Sequence, residues 1–199
     1  TPRVELIAAP VMQGERYGGR PKYFSEVIVP QGSPVQSFAD LRGCTFAYND
    51  EISNSGYNLP RYRMIELGYT DGFFKALVRT GSHEESIAAV LSGKADASAV
   101  DSLVLDCVRK SNPDYASRLR VIESIGPAGI PPVVASAKVP QDLQRRLRDI
   151  FTGMHEDAVG RGILDRAQIS HFAAVDDSNY DDIRAMVRRA EETGFTTIR

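Results

Sequence analysis

Cysteine is scarce in this sequence, and neither sign of charge is in marked excess. Two cysteines are too few for a disulfide framework, and their apolar neighbours predict that Cys44 and Cys107 are unpaired, buried small hydrophobic residues rather than a bridge. The chain has 24 basic and 26 acidic residues, which gives a formal net charge of −2. That balance gives no indication of a nucleic acid or an acidic membrane surface as a partner.

Long apolar runs, metal-ligand spacings and a leader are also missing. No stretch of about 18 apolar residues occurs, so no membrane span is predicted. Neither H-x-x-x-H nor C-x-x-C spacing is present, so no metal site is expected. The scattered histidines are His83, His155 and His171. The chain starts at Thr1-Pro2-Arg3 without Met or a signal peptide, which indicates processing or a start partway through a longer protein.

The sequence does contain a regular alternation of strand-like and helix-like segments. Hydrophobic residues make up 42 % of the 199 residues and charged residues 25 %, which is typical of a globular protein. The alternation predicts an α/β fold. Residues 141–155 predict an amphipathic helix, whose apolar face at 3.6-residue spacing comprises Leu143, Leu147, Ile150, Phe151 and Met154.

The segment S-N-S-G-Y at 53–57 is the first candidate site. It follows a predicted strand and precedes a helix, and Pro60 fits only the first turn of that helix because proline has no N–H. The helix is therefore expected to begin between residues 56 and 58. Ser53, Asn54 and Ser55 would then lie just upstream of unpaired N–H groups, which is typical of an anion site. Simple N-capping is the alternative.

The segment T-G-S-H-E-E-S at 80–86 is the second candidate. Ser82 and Glu85 match a capping box, which predicts that a helix begins at His83. The helix dipole disfavours a protonated imidazole at that position, and an arriving anion would reverse the preference. The alternative is an exposed histidine without a function.

Two further residues lie at the ends of predicted strands. Asp101 follows the buried run A-D-A-S-A-V and could orient His83 or accept a hydrogen bond from a protonated oxyanion. Its alternative role is to cap the helical segment that follows it. Tyr23 opens the strand Y-F-S-E-V-I-V and could supply a phenolic donor.

A hydrolase is a possible alternative to a binding site. Ser82 or Ser86 could act as nucleophile, with His83 as base and Asp101 orienting it. No G-x-S-x-G turn surrounds either serine, and Ser82 is expected to be occupied as a helix cap. We therefore expect a binding protein rather than an enzyme.

Several motifs in chain order resemble those of a known family. The segments Y-F-S-E-V-I-V, S-x-A-D-L-R-G, F-A-Y-N-D, S-N-S-G-Y-x-x-P and T-G-S-H-E-E-S, followed by A-D-A-x-A-V-D-S, are similar to those of the phosphonate/phosphite/phosphate-binding proteins of ABC importers. The resemblance implies an α/β, type II periplasmic-binding fold with two lobes and a ligand cleft between them. It also implies a periplasmic or lipid-anchored location, a membrane permease as partner and no cofactor.

The resemblance also assigns site residues. The family's S-T-S-G loop falls on residues 53–56, with Asn54 in place of the usual threonine and Ile52 at a position that is frequently polar. That departure concerns the identity of the ligand more than anion binding itself. The ligand-binding residues that the resemblance implies are Tyr23, Ser53, Asn54, Ser55, Gly56, His83 and Asp101.

The resemblance finally implies a domain plan with an incomplete first lobe. Residues 1–32 would be the end of lobe one and the hinge strand, 33–126 a complete lobe two, and 127–199 the return hinge and the C-terminal helices of lobe one. The N-terminal β-α-β-α-β run of the family is absent. The expected function is the solute-binding component of an importer for phosphonate, phosphite or phosphate. A ligand-sensing regulatory domain of the same fold is the alternative.

Overall fold

Strands and helices alternate along residues 4–198, the part of the chain that a computed structural model describes. The strands are β1 (Val4–Met12), β2 (Lys22–Pro30), β3 (Thr45–Tyr48), β4 (Ala76–Arg79), β5 (Ala97–Asp101), β6 (Leu119–Gly129), β7 (Val133–Ser136) and β8 (Ile169–Ala173). The α-helices are α1 (Leu59–Glu66), α2 (His83–Leu91), α3 (Ser102–Ser111), α4 (Pro113–Ser117), α5 (Gln141–Gly153), α6 (Ala158–Arg166) and α7 (Asp181–Glu192). A turn of π-helix, Asn54–Asn58, leads into α1.

The described residues form two compact units. Residues 4–23 and 128–182 make up the first unit, and residues 24–127 and 183–198 make up the second. This division differs from the domain plan expected from the sequence at 24–32, at Pro127 and at 183–198, which all group with the second unit. The reason for the first difference is that β2 pairs with β5 from Ser25↔Asp101 to Ile28↔Ser98.

The first unit contains a three-stranded antiparallel sheet in the order β7-β1-β8. Ile7, Ala8 and Ala135 form a buried cluster, and Leu147 and Phe151 of α5 pack against it. The predicted apolar face of α5 is only partly used in this packing. Its other members Leu143 and Ile150 are 42 % and 61 % exposed.

The second unit contains a five-stranded mixed sheet in the order β4-β3-β5-β2-β6. Strand β3 runs parallel to β4 and β5, whereas β2 runs antiparallel to β5. A buried apolar cluster joins the sheet to α2 and α3, and its members include Ile28, Ala47, Ile87, Val90, Val100 and Leu105. Because the carboxyl ends of β3, β4 and β5 meet at one edge, the segments that follow them are neighbours.

The structure confirms most of the predicted elements and corrects several. Helix α2 begins at His83 as predicted, whereas β8 and α4 were not anticipated. The sequence G-P-A-G-I-P-P at 126–132 predicts a break before the next strand, but residues 126–129 belong to β6. No helix among residues 4–198 is both long and apolar enough to cross a membrane.

Both cysteines are unpaired, as predicted, but neither is buried. Cys44 is half-buried and Cys107 is exposed. Cys107 lies in α3, whose buried face is formed by Ser102 and Leu105. The apolar residues next to Cys107 in the sequence therefore lie on different sides of the helix. A prediction of burial from sequence neighbours alone does not take this into account.

Candidate functional site

The polar segments after β3, β4 and β5 meet at one edge of the five-stranded sheet. Asn49 and the following loop leave β3, the loop 80–82 leaves β4, and Asp101 ends β5. Ser25 of the antiparallel strand β2 lies opposite Asp101. This edge therefore collects six of the residues expected from the sequence, and the seventh, Tyr23, lies in the first unit.

The π turn presents Ser55 and Gly56 at this edge. Ser53 is the N-cap, and its Oγ accepts the Gly56 N–H at 3.1 Å. The wide turn is closed by the Asn58 N–H, which donates to Ser53 O at 3.0 Å. Ser25 Oγ donates to Ser55 O at 2.6 Å, which ties the turn to β2.

These contacts correct the expected start of the helix. The chain is helical from Asn54, so that only Ser53 lies upstream, while Asn54 and Ser55 belong to the first turn. Pro60 does lie in the first turn of α1. The difference arises because i→i+5 bonding adds a residue to the turn, which a 3.6-residue pattern does not anticipate.

His83 faces the π turn rather than open solvent. Its Nε2 lies 3.2 Å from Ser55 Oγ and 3.4 Å from Asn49 Nδ2. Burial of the imidazole lowers the pKa of His83 below its ordinary value, and the nearby Glu84 carboxylate opposes the shift. The structure thus brings His83 and Ser55 together and disagrees with the alternative of an exposed histidine.

Unused polar atoms remain around this contact. His83 Nδ1 and Asn49 Oδ1 are buried and have no hydrogen-bond partner among the described residues. Buried polar atoms without partners destabilise the folded chain, and a ligand that accepts from a protonated His83 Nδ1 and donates a hydroxyl to Asn49 Oδ1 would relieve that cost. Together with Ser55 Oγ and the N–H groups of a first helical turn, this edge is suited to binding an anion.

The close packing around the π turn leaves no room for a side chain at Gly56. A Cβ at this position would overlap Asn49 Oδ1 and would lie 3.0 Å from Asn49 Cγ and 3.2 Å from Ser53 Oγ. The absence of a side chain therefore allows Asn49 to reach both the turn and His83. Asn49 itself was not identified from the sequence as a site residue, although its position directly after β3 is a signal for one.

Asp101 acts as a helix cap. Its carboxylate accepts the Leu103 N–H at 2.8 Å, which is the alternative role considered from the sequence. Among the described residues it makes no hydrogen bond to His83, so the expectation that it orients the imidazole is wrong in this structure. Burial raises the pKa of Asp101 to about 6, against the lowering effect of the Leu103 N–H.

The two serines considered as nucleophiles in the hydrolase hypothesis also make structural hydrogen bonds. Ser82 Oγ accepts the Glu85 N–H at 3.1 Å and caps α2 as predicted. Ser86 Oγ lies 2.6 Å from Thr80 Oγ1 and 3.0 Å from Ser82 O. Neither serine hydroxyl makes a hydrogen bond to the His83 ring in the described part of the chain, so the nucleophile–base–orienter arrangement is not assembled.

Tyr23 and the remaining histidines lie in the first unit. Tyr23 is 3 % exposed. His155 and His171 are neighbours, with ring centroids 5.6 Å apart. No group of three or more metal-ligating side chains occurs within residues 4–198.

The raised pKa of Asp101 predicts a pH-dependent stability. The folded chain holds this proton more tightly than the unfolded chain, whose aspartate pKa is about 3.9. The stabilising contribution is therefore full below about pH 4 and is lost as the pH rises through about 6. Between pH 4 and 7.5, the free energy of unfolding of the wild type should fall by about 2 kcal/mol relative to Asp101→Asn, measured by denaturant titration.

Asp176→Asn is the matched control for this prediction. Asp176 also caps a helical turn, but hydrogen bonds from Ser178 lower its pKa, so its contribution is lost as the pH falls. Because that contribution is already present above about pH 4, the stability difference between the wild type and Asp176→Asn should stay nearly constant between pH 4 and 7.5. Parallel curves for Asp101→Asn and the wild type would contradict the prediction.

Comparisons of the sequence with known proteins identify one family. A family model described as an ABC transporter, phosphonate, periplasmic substrate-binding protein matches residues 3–180. A phosphonates-binding periplasmic protein of Escherichia coli is 26 % identical over 181 residues, which cover 88 % of this chain and 53 % of that protein. The chain spans about half the length of the curated relatives it matches.

Solved structures share the fold. A binding protein component of an ABC phosphonate transporter from Pseudomonas aeruginosa has a TM-score of 0.84 at 24 % identity, covering 98 % of this chain and 65 % of its own. A Prochlorococcus marinus protein in complex with methylphosphonate has a TM-score of 0.78 at 21 % identity, covering 94 % of this chain and 72 % of its own. The α/β, type II periplasmic-binding fold expected from the sequence is thereby confirmed.

Proposed function

Because the chain belongs to the family of phosphonate-binding periplasmic substrate-binding proteins of ABC transporters, we propose that it binds a phosphorus oxyanion for import. The ligand is a phosphonate, phosphite or phosphate. It is delivered to a membrane permease from the periplasm or the outer face of a membrane. The names of the relatives support the ligand class, since one binds phosphonates and another is solved with methylphosphonate.

The observation that carries the proposal is the contact between Ser55 and His83. A hydroxyl at the N-terminal turn of one helix and an imidazole at the first residue of another converge within 3.2 Å. An oxyanion between these groups accepts from the hydroxyl, from the imidazole and from N–H groups of the turn. Its negative charge is stabilised by the positive ends of both helix dipoles.

The roles of the individual residues follow from their positions. Ser53 and Gly56 shape the turn, Ser55 and His83 donate to the oxyanion, and Asn54 adds an amide donor. Charge-assisted hydrogen bonds of this kind are roughly twice as strong as neutral ones. Asp101 lies at the same edge, and its protonated form at mildly acidic pH is a further donor. Tyr23 is a ligand-binding residue on the resemblance alone.

A thermal-shift titration with phosphate, phosphite, methylphosphonate, 2-aminoethylphosphonate and sulfate tests the proposal. A ligand that binds only the folded chain stabilises it by about 2.7 kcal/mol at a hundredfold excess over its dissociation constant. We expect a rise in melting temperature with at least one phosphorus compound and none with sulfate at matched ionic strength. Equal shifts with sulfate, or no shift with any of the five, would contradict the proposal.

A further inference from the structure

The C-terminal segment, residues 195–198, is buried in the second unit. Phe195 is 2 % exposed and Ile198 is 4 % exposed. The segment follows α7 and the turn at 193–194. Its partners are in the π turn and in α1, the elements that carry one half of the candidate anion site.

Two side chains hold the segment by its backbone. The Ile198 N–H donates to Tyr57 Oη at 2.9 Å, and this hydrogen bond is buried. Arg61 Nη1 donates to Thr196 O. Arg61 is only 9 % exposed and has no carboxylate partner among residues 4–198. Burying a guanidinium without a counter-charge costs free energy. Two contacts of Arg61 offset that cost: the hydrogen bond to Thr196 and the position of the guanidinium 5.9 Å from the centre of the Tyr57 ring.

Tyr57 links the segment to the residues around His83. It lies two residues after Ser55 in the π turn, and its ring packs against Tyr48 at 5.1 Å. Tyr48 ends β3 and directly precedes Asn49. Ser55 and Asn49, the two side chains that contact His83 Nε2, are therefore each within two residues of this tyrosine pair.

A π turn needs such support. A π-helix with i→i+5 bonds is rare and occurs mostly as a single turn within an α-helix, frequently at a functional site. If Tyr57 moved, the turn could relax to α-helical bonding, which would rotate Ser55 relative to His83. A fixed Tyr57 hydroxyl prevents that relaxation.

We propose that residues 195–198 position Ser55 against His83 by holding Tyr57 and Arg61, so that Tyr57 is a positioning residue of the site. Only the final effect, on anion affinity, rests on the proposed function. The alternative is that the segment merely completes the core of the second unit. That alternative affects global stability but not the geometry of the turn.

Tyr57→Phe tests the proposal, with Tyr62→Phe in α1 as the matched control. The first substitution removes the acceptor of the Ile198 N–H and keeps the ring, whereas Tyr62 is half-buried and its hydroxyl makes no hydrogen bond among the described residues. Two measurements need no ligand: amide hydrogen exchange at Ser55 and Gly56, and the titration of the His83 ring by NMR. We expect faster exchange and a His83 titration closer to that of free histidine in Tyr57→Phe only.

Arg61→Met tests whether the segment itself is needed. It removes the hydrogen bond to Thr196 O and the guanidinium above the Tyr57 ring, and it leaves the Tyr57 hydroxyl in place. If the segment positions the turn, Arg61→Met should change Ser55 exchange and the His83 titration in the same direction as Tyr57→Phe. Where methylphosphonate or phosphate binds the wild type, Tyr57→Phe should also weaken that binding about three- to tenfold, the effect of one buried hydrogen bond.

The outcomes are distinguishable. Wild-type exchange at Ser55 and an unchanged His83 titration in Tyr57→Phe would overturn the positioning role, whatever the ligand. Changes in Tyr57→Phe without changes in a folded Arg61→Met would also overturn it, because they would assign the effect to the tyrosine alone. A wild type that binds none of the anions would contradict the proposed function and leave the exchange and titration results standing.

Discussion

Replacing His83 with alanine is expected to weaken binding of the phosphorus oxyanion by about 10- to 150-fold, which corresponds to about 1.5–3 kcal/mol. The reason is the loss of a hydrogen-bond donor directly beside Ser55 Oγ, which pairs with the charge of the bound anion. Since the anion favours the protonated imidazole, the ratio of wild-type to variant affinity should grow as the pH is lowered from 7.5 to 6. Isothermal titration calorimetry with the best ligand of the thermal-shift series measures both effects.

His155→Ala is the control for this experiment. His155 is also half-buried, but it lies in the first unit beside His171. Its loss should leave the affinity within about twofold of the wild type, which is the range of a neutral surface change. Equal affinity of His83→Ala and the wild type would remove His83 from the site.

Replacing Gly56 with alanine is expected to lower both the stability of the folded chain and its affinity for the anion. The added Cβ would overlap the Asn49 side chain, which must then leave its position beside His83. Overpacking of this kind costs about 1–3 kcal/mol of stability. The same displacement should weaken anion binding by about 5- to 150-fold, as measured by calorimetry on the folded variant.

Gly32→Ala provides the matched comparison. Gly32 is in the same unit, is exposed, and a Cβ there would meet nothing within 4 Å. We expect wild-type stability and affinity for this variant. A Gly56→Ala protein that binds as tightly as the wild type would mean that Asn49 can move without loss, and Asn49 would then have no role at the site.

Local sequence patterns predicted the elements that bear the site. The S-x-x-E spacing at Ser82 located the start of α2 to the residue, because a capping side chain and the first N–H groups are adjacent in the chain. Alternating strand and helix patterns predicted that polar segments follow the strands of a sheet. Proline at position 60 located the first turn of α1 for the same local reason.

Contacts between distant segments were not predictable in this way. Asn49 reaches His83 across 34 positions, and Ile198 reaches Tyr57 across 141. Neither residue carries a periodic signal. Asp101 illustrates a different difficulty, since an aspartate after a strand can cap the next helix or face a ligand. Only the position of the Leu103 N–H decided between the two.

The π turn makes chain length a determinant of the site. Each residue of a helix advances about 100° around its axis. Deleting one residue between Ser53 and Leu59 could restore ordinary α-helical bonding without disturbing α1 or its packing. The Ser55 hydroxyl would then point about a quarter of a turn away from His83. A homologous chain with every polar residue of this loop, but one position shorter, would therefore have lost the convergence of Ser55 and His83 on which the proposed binding depends.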